Sequence, residues 1–269
     1  VETLANKQPI MGTVSRLFWL ITAFMLLSAP ASAEPASGNQ SAALTNGQFA
    51  PDTLVIGVET TDYAPYYHIQ NDRYSGLARD ILDSFLTDAH LMADYYPLPV
   101  PRLFMLFTQQ QLDFKFPDNP QWSENLKAGL TIHYSQPVVQ VTEAVMILKD
   151  HQGPVRNIGT ILGFTTPGIN AEIKRGELSL TQVNGMEQML KMLENQRIDG
   201  IYFNTRVAQE AATERAEPLT LITLNSIAPY RYAYYLSSIK HPQLIERFDR
   251  FMQENPEVIR AIRQSYSVP

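Results

Sequence analysis

Between residues 53 and 117 the sequence alternates extended and helical signals in a fixed order, and that order constrains the fold more than any single motif. "TLVIGVE" is a β-rich apolar run of strand length. "GLARDILDSFLTDA" follows, with Leu77, Ile81, Leu82, Phe85 and Leu86 on one helical stripe. "ADYYPLPV" reads as a second strand, "PRLFMLFTQQQ" as a short helix with Pro101 at its start, and "DFKFP" as a third strand. The order β-α-β-α-β is the rhythm of a parallel sheet with helices on its faces.

The rhythm then restarts. "EAVMIL" and "GTILGF" read as strands separated by the polar break "DHQGPVRN". "TTPGINAEIKRG" holds a turn and a helix start, and "LTQVN" is extended. "GMEQMLKMLENQR" is amphipathic, with Met189, Leu190 and Leu193 on its apolar side. "IDGIYFN" repeats the layout of "LDFKFPD", so the chain holds two similar α/β units. It closes with the strand "YRYAYYLS" and two helical stretches, residues 243–254 and 256–266.

Composition narrows the class. With 269 residues, 45% of them hydrophobic, the chain can build one large domain or two modest ones. A formal charge of -6 with no basic stripe argues against nucleic acid as a partner. There is no cysteine, so the core alone must hold the fold.

The N-terminal region has its own pattern. Residues 1–10 precede Met11, the expected start. Arg16 forms a positive n-region, residues 17–27 are an apolar run, and Ala31-Ser32-Ala33 is an A-x-A site. Residues 11–33 therefore read as a secretory signal peptide cleaved near Ala33, and lipidation at that site is excluded for want of cysteine. Residues 34–50, rich in Ser, Ala, Gly, Asn and Gln, read as a flexible leader. The expected location is the periplasm.

In open α/β sheets ligands sit beyond the carboxyl ends of the strands, and two such units facing each other form a cleft. The loops of interest are "TTDYAPYYH", "PLPVPR", "PDNPQW", "TTPG" and "NTR". Aromatic side chains after the first strand offer flat contacts and π faces, which makes Tyr63 and Tyr66 candidates ahead of Tyr67. Arg102 offers a carboxylate fork. Thr165, Thr166 and Gly168 lie at a helix start that could hold an anion or serve as a plain cap. In "DFKFPDNPQW", Lys115 stands just before a polar turn, where it could reach the cleft rim or snorkel to the sheet edge.

Taken in order, "LVIGVETTDYAPYYHIQNDRYSGLARDILDSFL", "LDFKFP", "HYSQPVV", "ILGFTTPGINAEI" and "NQRIDGIYFN" resemble the bacterial extracellular solute-binding proteins of family 3, the periplasmic amino-acid-type receptors of ABC transporters. The resemblance runs over residues 53–267. It implies an α/β, two-lobed periplasmic binding protein of type II, each lobe a mostly parallel sheet flanked by helices, joined by two hinge crossings. Lobe 1 would hold residues 51–142 plus 228–269, and lobe 2 residues 143–227.

The resemblance also implies where the ligand clamp should lie, and there this chain departs. Where amino-acid receptors carry a Thr-rich segment and a carboxylate-gripping arginine, it has Asp118, Asn119 and Trp122, which become candidate contacts. Lys127 is near but cannot copy a bidentate fork. Asn204 stands where a carboxylate usually meets the α-amino group. The expected ligand is thus a small polar molecule other than a standard L-amino acid bound in the usual mode, and one with a negative group and a flat or apolar part would suit Lys115 and Arg102.

Catalytic signals are thin. His68, His90, His133, His151 and His241 are scattered, with no HExxH, G-x-S-x-G or Walker A motif. No catalytic residue, metal or cofactor is expected. The reading is a non-enzymatic, monomeric receptor serving the permease of an ABC importer. The alternatives are a free-standing partner of a sensor kinase and a periplasmic dehydratase on the same fold.

Overall fold

The computed structural model describes residues 53–268; the signal-peptide and leader readings, residues 11–33 and 34–50, lie outside the described residues. β1 (Leu54–Glu59) leads into a hairpin of β2 (His68–Gln70) and β3 (Arg73–Ser75). The hairpin's central residues, Asn71 and Asp72, have φ of 50° and 59°, as a two-residue type I′ turn demands. The amphipathic helix α1 (Leu77–Asp88) follows, then β4 (Ala93–Leu98), α2 (Val100–Thr108) with Pro101 in its first turn, and β5 (Phe114–Asp118). These are the elements expected from the first β-α-β-α-β run. β4, β1 and β5 lie side by side in that order, both pairs parallel.

After the short α3 (Glu124–Lys127) and β6 (His133–Tyr134) comes the long strand β7 (Val139–Leu148). The second unit comprises β8 (Asn157–Ile161), a 3-10 turn at Pro167–Ile169, α4 (Asn170–Lys174), β9 (Ser179–Val183), α5 (Met186–Glu194) and β10 (Gly200–Asn204). Its strands β10, β8 and β9 are again parallel neighbours. α6 (Thr205–Thr213), β11 (Leu221–Thr223), β12 (Tyr230–Ser238), α7 (Pro242–Glu254) and α8 (Pro256–Ser265) complete the chain.

The sheet order β4-β1-β5-β12-β7-β10-β8-β9 joins the two units through two long antiparallel strands. β12 pairs with β5 on one side and β7 on the other, and β7 pairs with β10. Each lobe is thus a parallel trio closed by an antiparallel strand, and β7 with β12 carries the chain between lobes. The expected crossing at residues 142/143 falls inside β7, which begins earlier than the "EAVMIL" stretch suggests because Val139 and Val141 are also buried.

The helices hold this sheet by their apolar stripes. Phe85 of α1 meets Phe248 and Phe251 of α7 with ring centroids 5.2 and 5.8 Å apart. Leu103 and Phe107 of α2 pack with Val55 and Leu98 on the other face of the first lobe. Met189, Leu190 and Leu193 of α5 are buried, as their spacing implies. Each such side chain contributes about 2 kcal/mol of burial.

Candidate ligand site

Two buried glutamates face one small cavity from opposite lobes. Glu59 is the last residue of β1, so it lies at a carboxyl strand end of the first lobe. Its Oε2 accepts a hydrogen bond from the Tyr67 hydroxyl at 2.7 Å, and the residue is 2% exposed. Glu143 lies within β7, opposite Tyr230 of β12 on one side and Asn204 of β10 on the other. It is 3% exposed, and its Oε1 accepts from the Tyr232 hydroxyl at 2.5 Å. Burial pushes Glu59 up to about 7, against the opposing pull of Lys115 and the Tyr67 hydrogen bond. Burial likewise pushes Glu143 up to about 7, with the Tyr232 and Tyr202 hydroxyls opposing.

Aromatic rings enclose the pair. Glu59, Tyr67, Val100, Phe104 and Trp122 line the cavity from the first lobe. Glu143, Gly163, Phe164 and Thr165 line it from the second, with Tyr232 and Tyr234 of β12 between. The space between these side chains is about 20 Å³, room for one water-sized group. The cleft is closed around it. Tyr63 stacks on Tyr67 at 5.0 Å and meets Phe203 of the second lobe at the same distance. Arg206 of α6 donates to the carbonyls of Ser267 and Tyr266 at 2.6 and 3.1 Å. At Gly163, with φ of +87°, a Cβ would lie 3.1 Å from Pro101 and 3.2 Å from Val100. Glycine therefore allows both the left-handed turn and the close approach of α2.

The lysine expected at the cleft rim is fully buried instead. Lys115 Nζ donates to the Pro117 carbonyl at 2.5 Å, stands 3.3 Å from Asp118 Oδ1 and lies 4.1 Å from the Phe104 ring centroid. Asp118 is engaged on every side: Lys127 Nζ reaches Oδ1 at 2.7 Å, the Ser237 hydroxyl reaches Oδ2 at 2.7 Å, and the Asn119 amide reaches Oδ1 at 2.8 Å. Asn119 donates to the Ala233 carbonyl at 2.9 Å, tying the loop after β5 to β12. Burial holds Lys127 down to about 8, although Asp118 pulls it upward. One lysine from β5 and one from α3 thus converge on the carboxylate that ends β5.

The other expected site residues divide. Trp122, Thr165 and Tyr67 line the cavity, while Tyr63 and Tyr66 pack behind it as buried core. Arg102, on the first turn of α2, is exposed and makes no hydrogen bond or ion pair among the described residues. Gly168 N–H donates to the Tyr202 hydroxyl at 3.1 Å, and the Thr166 hydroxyl to Asn170 Oδ1 at 3.2 Å. Neither threonine caps the 3-10 turn or the short α4 through its side chain. Asn204 is the N-cap of α6, its Oδ1 accepting from the backbone N–H groups of Arg206 and Val207 at 3.0 and 3.2 Å.

Neither glutamate was among the expected site residues, though each carried a signal. Glu59 ends an otherwise apolar strand, and Glu143 interrupts the apolar run "VQVTEAVMIL". A carboxylate in such a run is rarely buried without a partner or a role.

No family model and no curated protein matches the chain. Solved structures do. One is the arginine-, lysine-, histidine-binding protein ArtJ from Geobacillus stearothermophilus, 17% identical over 80% of this chain and 94% of that one, with a TM-score of 0.63. A second is the GluR0 ligand-binding core from Nostoc punctiforme in complex with L-glutamate, 14% identical over 80% of this chain and 100% of that one, TM-score 0.63. A third is the ancestral amino acid-binding protein AncCDT-1, a precursor of cyclohexadienyl dehydratase, 14% identical over 80% and 95% of the two chains, TM-score 0.62. At these identities the likeness establishes the fold, that of the two-lobed periplasmic binding proteins.

Proposed function

We propose that this protein is a solute-binding receptor that captures a small polar ligand between two lobes, residues 51–142 with 228–269 and residues 143–227. The carrying observation is the small cavity lined from both lobes, with a buried glutamate from each and tyrosines of the crossing strand between them. Closure of two lobes over a ligand is the working principle of such folds, and the ligand shifts the open-closed balance only as far as it prefers the closed form. Similarity to amino-acid-binding proteins supports the reading. The altered clamp, with Asp118 engaged by two lysines and the Asn204 Oδ1 engaged as a cap, supports a ligand other than an L-amino acid held in the usual mode. The receptor would be exported through residues 11–33 to the periplasm and would present its closed form to an ABC permease or, as the lesser alternative, to a sensor kinase. A thermal-shift screen over metabolite classes tests this: one class should raise the melting temperature saturably, and a flat response across the panel contradicts it.

A second reading rests on Glu143. A buried carboxyl at about 7 in a cleft is suited to general-acid chemistry such as a dehydration. Turnover of prephenate-like substrates that is abolished by Glu143→Gln would favour it, and no turnover would leave the receptor reading alone.

A further inference from the structure

The closed cavity holds acceptor atoms that the protein does not satisfy. Glu143 Oε2 is buried and makes no hydrogen bond of normal geometry among the described residues, although the Tyr202 hydroxyl lies near enough to favour the charged carboxylate. Thr165 Oγ1, on the second-lobe loop that lines the cavity beside it, is buried with no hydrogen-bond partner among the described residues. Glu59 faces the same space from the first lobe. The remaining walls are mostly carbon, chiefly the rings of Phe104, Trp122, Phe164 and Tyr234. No lysine, arginine or histidine lines the cavity among the described residues, because Lys115 is held by Pro117 and Asp118.

We propose that this cavity receives a primary ammonium group, so that the receptor's ligand is a small organic amine whose cationic head donates to Glu143 Oε2 and Thr165 Oγ1, faces Glu59 and rests against the aromatic rings. This assignment rests on the receptor reading above and names its ligand class. Three properties of the cavity select the group. An ammonium has three donors and no acceptor, which matches the Thr165 hydroxyl oxygen and a Glu143 carboxylate that ionises as the cation arrives. It is about the size of the water that the space of about 20 Å³ would hold. Ring faces attract a desolvated cation, whereas a ligand carboxylate would meet two carboxyl groups at close quarters. Hard metal ions want about six or more oxygen ligands, and no cluster of three or more acidic or histidine side chains that could hold one occurs among the described residues. The rest of a longer amine needs the lobes to part around Tyr63 and Phe164, which meet at 6.1 Å in the closed form.

The experiment is calorimetry and thermal shift on the full chain with ammonium chloride, methylammonium chloride and 1,4-diaminobutane. Potassium chloride at equal ionic strength, acetate, succinate and a panel of L-amino acids serve as comparisons. At least one amine should bind saturably. Glu143→Gln should weaken that binding by about tenfold or more, and Thr165→Val by a smaller factor, while Glu257→Gln on the exposed face of α8 leaves it unchanged. Circular dichroism checks that each variant is folded, and Thr165→Val carries the test if Glu143→Gln is not. Binding of an anionic or neutral compound, unaffected by either cavity variant, overturns the ammonium assignment and leaves the receptor reading standing. Potassium acting as well as ammonium also overturns it. Binding by nothing in the panel overturns the ammonium assignment, and the receptor reading then falls or stands on the wider metabolite screen.

Discussion

The protein buries two sets of charged side chains, and it treats them differently. In the cluster after β5, Asp118 answers Lys115 and Lys127 together, with Ser237 and the Asn119 amide completing its shell. In the cleft, Glu59 and Glu143 have tyrosine hydroxyls but no ion pair, and one oxygen of Glu143 makes no hydrogen bond of normal geometry among the described residues. The first set is closed on itself; the second is not. A buried ion pair is weak grounds for a binding role once its partners are all internal. An uncompensated buried carboxyl in a cleft is stronger grounds.

The largest effect should come from breaking the closed set. Asp118→Ala leaves two buried ammonium groups without their counter-charge and should destabilise the protein by about 3–5 kcal/mol in urea unfolding. A loss under about 1 kcal/mol would mean that the lysines are balanced in some other way. The open set should respond in the opposite sense. A carboxyl at about 7 in the folded chain and 4.5 in the unfolded chain keeps a proton that the unfolded chain has lost. Stability therefore falls as pH rises through that window, by up to about 3 kcal/mol for each glutamate. Glu143→Gln should accordingly stabilise the ligand-free protein at pH 8, change little at pH 5, and remove about half of the pH dependence.

Two smaller effects sharpen the comparison. Gly163→Ala places a Cβ against Pro101 in a left-handed turn, at a cost of about 1–2 kcal/mol borne by the closed form. Small-angle scattering should show a more open molecule and binding should weaken, while secondary structure is kept. Asn204→Ala removes the α6 cap and should cost about 1 kcal/mol, whereas Asn204→Asp keeps an acceptor there and should cost little. An effect of Asn204→Asp on affinity far larger than on stability would return that residue to the ligand.

The elements most legible in the sequence were those with a long apolar period. The three strands and two helices of the first parallel unit, the stripe of α1 and the apolar side of α5 follow from the order and spacing of residues, while the strand order β4-β1-β5 does not. Elements built on local chemistry were less visible. The β2–β3 hairpin turns on Asn71-Asp72 without a glycine, and α6 has an alanine-rich stripe with few large apolar residues. The site was legible only as a region. "DFKFPDNPQW" does lie beside the cleft, but whether Lys115 faces a ligand depends on Asp118 and Lys127, which meet it only once β5 and α3 are packed. Glu59 and Glu143 are far apart in sequence, and that they share one cavity depends on how the end of β1 meets the middle of the crossing strand β7.

The central claim, that the cleft holds two buried carboxyl groups with no ion-pair partner among the described residues, is open to direct measurement by carbon-13 NMR titration of the glutamate side chains, with Glu59→Gln and Glu143→Gln assigning the resonances. The expected result is two carboxyl signals with midpoints near 7, each lost in its own variant, both moving down when an amine binds. Midpoints near 4.5 for both would contradict it, since the groups would then be solvated or already paired.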